Sequence, residues 1–208
     1  MSVETPVPAG RPGLSGLKEA AASCRACPLW RTGTQTVFGE GRTRSEVVLV
    51  GEQPGDQEDK AGKPFVGPAG KLLDRALAES GIDRSAAYVT NVVKHFKWEA
   101  RGKKRIHKKP NLSEIAACRP WLDAELESLR PKALVCLGST AAQALLGREF
   151  RVTRERGRAV DSDLAPLVTA TIHPSAILRM REKEGRDEEM RALVNDLALV
   201  AAFIRESS

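Results

Sequence analysis

Residues 46–70 read EVVLVGEQPGDQEDKAGKPFVGPAG, and this stretch decides the fold. Val47 to Val50 is a short apolar run with no polar alternation, the pattern of a strand covered on both faces in a parallel sheet. It stops at Gly51, and Glu52, Gln53, Pro54 and Gly55 follow at once. In open α/β sheets, ligands sit beyond the carboxyl ends of the strands, so polar residues placed there are site candidates. Pro64-Phe65-Val66-Gly67-Pro68 then holds one aromatic ring between prolines and glycine ahead of a helix. A rigid exposed ring suits stacking on a flat ligand, and the same composition suits a plain connection with a buried Phe.

Working outward, the segment from Leu14 to Cys24 has helical spacing, with Cys24 near its end. A helix is predicted from Gly70 to Ser80, with Leu72, Leu73 and Leu77 on one face and Gly81 closing it. Residues 87–93 form the second strand, with Asn91 near its carboxyl end. A helix follows from Asn111, a good N-cap, to Leu129. The third strand, 133–137, runs into Gly138-Ser139-Thr140 and a short helix ending near Gly147. Residues 148–166 are charged and irregular and suggest a hairpin. The fourth strand, 167–172, delivers His173-Pro174-Ser175, and a last helix carries Met190, Leu193, Leu197, Ala201 and Ile204 as its inner stripe.

Four strands separated by helices make a three-layer α/β/α sandwich with a central, largely parallel sheet. Parallel strands bring Glu52, Asn91, Gly138-Ser139 and His173 to one rim. With 208 residues, a single domain over 14–208 is expected behind a Pro- and Gly-rich lead-in at 1–13.

The net charge of +6 is concentrated. Residues 94–109 hold eight cations (Lys94, Lys97, Arg101, Lys103, Lys104, Arg105, Lys108 and Lys109) against one acid, Glu99. So local a patch is the electrostatic footprint of a polyanion. The segment is too charged for core and contains Gly102 and Pro110, so it reads as a long surface loop. The first residues lack the basic start and apolar core of a signal peptide, and no apolar run approaches the ~18 residues of a membrane span. A cytoplasmic protein is expected, where structural disulfides are rare.

The four cysteines therefore need another use. Cys24-Arg-Ala-Cys27 is a ligand spacing, and Cys118 and Cys136 fall in a predicted helix and strand. A zinc ribbon needs a second CxxC knuckle, which is missing, so a metal centre reads as iron–sulfur ahead of zinc.

In this order, CxxC at 24–27, Gly51-Glu52-Gln53-Pro54-Gly55, Pro64-Phe65-Val66-Gly67, Thr90-Asn91-Val92-Val93-Lys94, Ala117-Cys118-Arg119-Pro120, Leu137-Gly138-Ser139-Thr140-Ala141-Ala142-Gln143 and His173-Pro174-Ser175 resemble the uracil-DNA glycosylase superfamily. The closest resemblance is to its family 4 iron–sulfur members and spans Leu14 to Ile204. It implies a structural 4Fe–4S cluster on Cys24, Cys27, Cys118 and Cys136, and a flipped-out uracil as ligand. Phe65 would stack on the uracil, Asn91 would read its Watson–Crick edge, and Gly51 and Gln53 would line the same pocket. His173 would stabilise the negative charge on the leaving base.

Two features depart from the ordinary family 4 pattern: Gln53 stands where a small residue is usual, and the connection after Asn91 is longer. Glu52-Gln53 with a basic loop ending in His107 resembles the UdgX class. There, the residue matching His107 attacks C1′ after uracil leaves, and the protein stays joined to the DNA. Glu52 would orient His107 or a water, and Gln53 would help fix the loop. Lys94, Arg101, Lys103, Lys104, Arg105 and Lys108 would contact phosphates, with Ser139 and Ser175 completing the DNA-contact set. The implied partners are uracil and uracil-containing, single-stranded DNA, met by a monomer. Two alternatives stand beside this: a turnover glycosylase, and a non-catalytic iron–sulfur nucleic-acid-binding protein.

Overall fold

The computed structural model describes residues 6–10 and 12–207; of the lead-in, residues 1–5 and 11 lie outside the described residues. Four five-residue strands, β1 (Val47–Gly51), β2 (Ala87–Asn91), β5 (Ala133–Leu137) and β6 (Leu167–Thr171), are buried at every position. They form one sheet in the order β2-β1-β5-β6, with every pairing parallel. Near-continuous burial is the cost of covering both faces, and it explains the unbroken apolar run of β1.

Alternate residues of each strand feed two separate cores. Val48, Val50, Tyr88, Leu134, Cys136 and Val168 pack with α1 (Leu14–Ala21), α4 (Leu112–Leu129) and α5 (Ser139–Leu146). Val47, Leu49, Val89, Val135 and Leu167 pack with α3 (Pro68–Ser80), α7 (Pro174–Arg179) and α8 (Lys183–Glu206). The result is the expected three-layer sandwich. Val7, in the lead-in, packs against the first of these cores.

Local chemistry sets the helix ends. Asn111 accepts from the Glu114 N–H while Glu114 accepts from the Asn111 N–H, a full capping box for α4. Pro68 opens α3 at its first position, two residues before the predicted start, and Gly81 closes it at φ 83°.

Two expectations are corrected. The basic segment is a hairpin, β3 (Trp98–Arg101) paired antiparallel with β4 (Lys104–His107), rather than an irregular loop. Gly102, at φ 59°, makes its two-residue turn. Conversely, residues 148–166 form a short helix, α6 (Val152–Glu155), and one isolated bridge, Val160 to Val168, not a hairpin. A short helix missed in sequence, α2 (Asp56–Ala61), lies between β1 and α3. Among the described residues, no helix is long and apolar enough to cross a membrane.

Candidate active site

The chain runs from β1 outward to β2, then returns to the other side of β1 for β5 and β6. The reversal makes a crevice beyond the carboxyl ends of β1 and β5, where α/β sheets place their ligands. Glu52 leaves β1 at this point and Thr140 sits in the first turn after β5. The Thr140 Oγ1 hydroxyl donates to Glu52 Oε2 across the crevice.

Gly51 and Asn91 are paired in register at the ends of β1 and β2. A Cβ on Gly51 would lie 2.4 Å from Asn91 Oδ1 and 2.7 Å from Phe65 Cζ, so only glycine lets the amide and the ring approach here. Asn91 is buried, and its side-chain amide makes no hydrogen bond within the described residues, leaving donor and acceptor open to a ligand. Phe65 is held at φ 56°, a left-handed conformation that is strained for an aromatic residue. Gly70 makes that possible: a Cβ there would meet the Phe65 carbonyl oxygen at 1.7 Å. The Phe65 ring stacks near His173, centroids 5.9 Å apart and planes 28° from parallel.

His173 caps α7, its Nδ1 accepting from the Ser175 N–H at 3.1 Å. Burial pushes its pKa down to about 4, with the charges of Arg179 and His107 acting in the same direction. The ring is therefore neutral at physiological pH.

His107 ends the hairpin and reaches the same rim, with Nε2 3.4 Å from Glu52 Oε1. Its pKa is lowered, first by desolvation and then by Arg179, with Glu52 opposing. The hairpin is fastened at its base by Gln53, which is buried. Its Nε2 donates to the carbonyls of Lys97 and Lys108, both at 3.1 Å, and its Oε1 accepts from the Lys97 N–H. Phe96 packs beneath, its ring 6.1 Å from that of His107.

The structure thus brings together Gly51, Glu52, Gln53, Phe65, Asn91, His107 and His173. It does not keep all the expected phosphate contacts. Lys94 is 1% exposed, and its ammonium pairs with the fully buried Glu125 while donating to Thr90 Oγ1 and the Asn91 carbonyl. A cation so enclosed cannot meet DNA, so Lys94 leaves that set. Arg105 also turns inward. It pairs with Asp56 and Asp59 and lies over the rings of Phe96 and Trp98 at 5.4 and 5.5 Å, anchoring the hairpin to α2. Lys108 is exposed but bonded to Glu99 at 2.8 Å. Arg101, Lys103 and Lys104 are exposed without a carboxylate partner among the described residues, as is the hydroxyl-bearing Ser139 at the start of α5. The Ser175 hydroxyl is engaged with His173 Nδ1 at 2.8 Å.

The four thiols lie in one core. Cys27, Cys118 and Cys136 are buried in a common cluster, and Cys24 packs against it. The Trp121 indole N–H donates to Cys24 Sγ and the Lys94 N–H to Cys118 Sγ, both at 3.2 Å. Burial pushes the thiols of Cys118 and Cys136 up to about 12. Among the described residues no three metal-binding side chains converge as a single ion requires. A four-iron cubane spreads its thiolates more widely. Four thiols from three elements facing one core, with N–H donors to two sulfurs, fit such a cluster.

Thr140 and Arg179 were missed in sequence, although the first lies in a turn already singled out. Arg179 could have been found from its spacing, four residues after Ser175 on one helical face. A cleft of about 770 Å³ bordered by Arg130, Lys132 and Leu164 lies at the opposite, amino-terminal end of the strands and contains none of these residues.

The fold and this rim define a class: parallel α/β proteins that set an aromatic ring and an open amide side by side beyond the carboxyl ends of their strands. The family model described as the uracil DNA glycosylase superfamily matches residues 38–198, and the chain belongs to that superfamily. It is 38% identical over 191 residues to the Type-4 uracil-DNA glycosylase of Thermotoga maritima, covering 91% of this chain and 94% of the relative. It is 38% identical over 173 residues to the Type-4 enzyme of Sulfurisphaera tokodaii, covering 79% and 76%. With that of Archaeoglobus fulgidus it shares 39% identity over 175 residues, covering 79% and 84%.

Proposed function

We propose that this protein excises uracil from DNA and is then captured by its own product, His107 becoming bonded to C1′ of the deoxyribose. The observation that carries the reading is the 3.4 Å contact of His107 Nε2 with Glu52 Oε1, on the rim that also holds Phe65, Asn91 and His173.

Uracil must leave the stack to reach such a rim. Phe65 takes its face, and the open amide of Asn91 pairs with N3–H and O4. Neutral His173 donates to O2 as the C1′–N1 bond breaks and its electrons pass to the base. The sugar becomes oxocarbenium-like, and the nearest nucleophile captures C1′. A neutral imidazole brings a ring-nitrogen lone pair; the imidazolium formed then gives its remaining N–H proton to water. The low pKa of His107 supports this by keeping the ring neutral. Gln53 holds the hairpin, so the imidazole is already in position when the base departs.

Cys24, Cys27, Cys118 and Cys136 would hold a 4Fe–4S cluster, which supplies a cross-link between the chain near α1, α4 and β5. The substrate is single-stranded, uracil-containing DNA in the cytoplasm, gripped by Arg101, Lys103 and Lys104, and the protein acts as a monomer. A second reading, multiple turnover with water as nucleophile, is favoured by the likeness to Type-4 uracil-DNA glycosylases and by a Glu52 carboxylate able to hold a water.

The test is a denaturing gel of end-labelled, uracil-containing single-stranded DNA after incubation with the protein or with His107→Ser. A heat- and detergent-stable shifted band requiring uracil, replaced in the variant by an alkali-labile abasic product, is expected. Abasic product alone from the unaltered protein would select the turnover reading. Neither product would remove the catalytic reading.

A further inference from the structure

Arg179 lies at the end of α7, four residues beyond Ser175, exposed and with no carboxylate partner among the described residues. Its Nη1 donates to Ser175 Oγ at 3.0 Å. Ser175 Oγ lies 2.8 Å from His173 Nδ1, and the Ser175 backbone N–H donates to the same nitrogen at 3.1 Å.

These contacts determine where the protons are. A backbone N–H can only donate, so Nδ1 is the acceptor and carries no hydrogen. A guanidinium can only donate, so the Ser175 oxygen accepts from Arg179. Its own hydrogen is then free to point at Nδ1. Two donors converge on one ring nitrogen, and the proton of the neutral ring must sit on Nε2. A donor hydrogen-bonded to a cation is polarised and becomes a stronger donor in turn.

We propose that Arg179 is a positioning residue that acts through the Ser175 hydroxyl to hold His173 in the tautomer with its proton on Nε2. That tautomer presents an N–H to the leaving base. With the proton on Nδ1, the ring would present a lone pair to a developing anion and repel it. The charge of Arg179 also disfavours a second proton on His173, and on His107 across the rim. One cation therefore keeps one imidazole a donor and supports the neutral state of the other. The proposal rests on uracil excision for its consequence, but its central statement is about a tautomer and can be read without DNA.

The chain has three histidines, so ring-nitrogen NMR of histidine-labelled protein can be assigned by replacing His95 and His107 one at a time. The expected spectrum for His173 shows an unprotonated Nδ1 and a protonated Nε2 near neutral pH. In Arg179→Ala only the Ser175 backbone N–H is left to favour an unprotonated Nδ1, so the two nitrogen shifts should move part of the way toward each other as the minor tautomer gains population, and single-turnover release of uracil should fall about tenfold, the scale of one charge-assisted hydrogen bond. Arg179→Lys should recover most of the rate. Because the effect passes through the hydroxyl, Arg179→Ala should cost little more in a Ser175→Ala background. A His173 protonated on Nδ1 in the unaltered protein would overturn the proposal. So would an Arg179→Ala variant with an unchanged His173 spectrum that loses only DNA affinity and salt dependence, since that describes a phosphate contact. If the unaltered protein released no uracil, the functional reading would fall, while the spectra would still decide the tautomer.

Discussion

Nε2 of His107 lies 3.4 Å from Oε1 of Glu52, although one ends a hairpin and the other leaves the main sheet. The second oxygen of the carboxylate is held by Thr140 Oγ1, so Glu52 cannot swing away without breaking a bond that spans β1 and β5. The imidazole thus faces a fixed carboxylate while desolvation and Arg179 both disfavour its charged form.

The sign of the pH dependence follows. His107 titrates below the ~6.5 of a free imidazole, so it stays neutral and nucleophilic through pH 7. Adduct formation should be flat from pH 7 upward and should decline only on the acid side, as protons bind below pH 6.5. Glu52 raises this pKa, so Glu52→Gln should move the acid limb lower still. Quantifying the covalent band against pH measures this; an acid limb that rises in Glu52→Gln would show that the carboxylate does not act on His107 as a charge.

Gln53 makes three hydrogen bonds to the two ends of the hairpin segment, at Lys97 and Lys108. Gln53→Ala removes all three and loosens His107 without touching Asn91 or His173. The ratio of covalent adduct to free abasic product should fall about tenfold or more, since small misplacements of a nucleophile are costly. Both products appear on one gel, so a ratio that stays fixed would mean that the other anchors of the hairpin, Arg105 on Asp56 and Asp59 and the Trp98 N–H on the Thr32 carbonyl, hold it without Gln53.

Much of this was legible in the chain. The apolar run at 47–50 and the helical stripes led to the right layers, because burial on both faces leaves a plain signature, and the polar residues after each strand do meet at one rim. The hairpin was not legible. Its strands, WEAR at 98–101 and KRIH at 104–107, are only four residues each and mostly charged, and Arg105, one of the two inward side chains, counts as interior only once it lies over the Trp98 ring and pairs with Asp56 and Asp59. Lys94 misled for the same reason: a lysine among lysines reads as surface until its partner, Glu125, is known. That partner lies 31 residues away, on another element.

Lys94 and Glu125 predict a stability effect rather than a binding one. Both side chains are almost wholly buried, and Glu125 also accepts from Tyr88 and Thr90. Lys94→Met strands a buried carboxylate and should destabilise the protein by about 3–5 kcal/mol. Adding Glu125→Gln should restore a large part, because an amide carries no charge yet still accepts from Tyr88. Urea unfolding of the single and double variants checks this, and equal losses in both would mean that the charge is not what matters.

Salt dependence separates the outward cations from the inward ones. Each phosphate contact contributes about 0.7 to the slope of log K against log salt on single strands. Lys103→Gln and Lys104→Gln should each lower the slope by about that amount, whereas Lys94→Met should leave it unchanged. Fluorescence-anisotropy titrations with uracil-free single-stranded DNA over a range of salt make the comparison without chemistry intervening. A slope insensitive to both surface lysines would move the DNA path off the hairpin.

Gly51 predicts the sharpest separation of activity from folding. Its missing Cβ makes room for Asn91 Oδ1 and the Phe65 ring together. In Gly51→Ala one of them must move. The Phe65 backbone is pinned, in the left-handed region with Gly70 packed against its carbonyl, and its buried ring lies against His173, whereas the Asn91 amide is the closer group and has no hydrogen bond among the described residues to hold it. The Asn91 amide should therefore yield, turning away from the position that would read the uracil edge. A shift of about 1 Å at a recognition group costs on the order of 100-fold in rate. Gly51→Ala should accordingly lose uracil release by that order, while its melting temperature falls only modestly, since the strand pairing of β1 with β2 and β5 is unaffected. Normal excision by this variant would mean that the space beside Gly51 is not where the base binds.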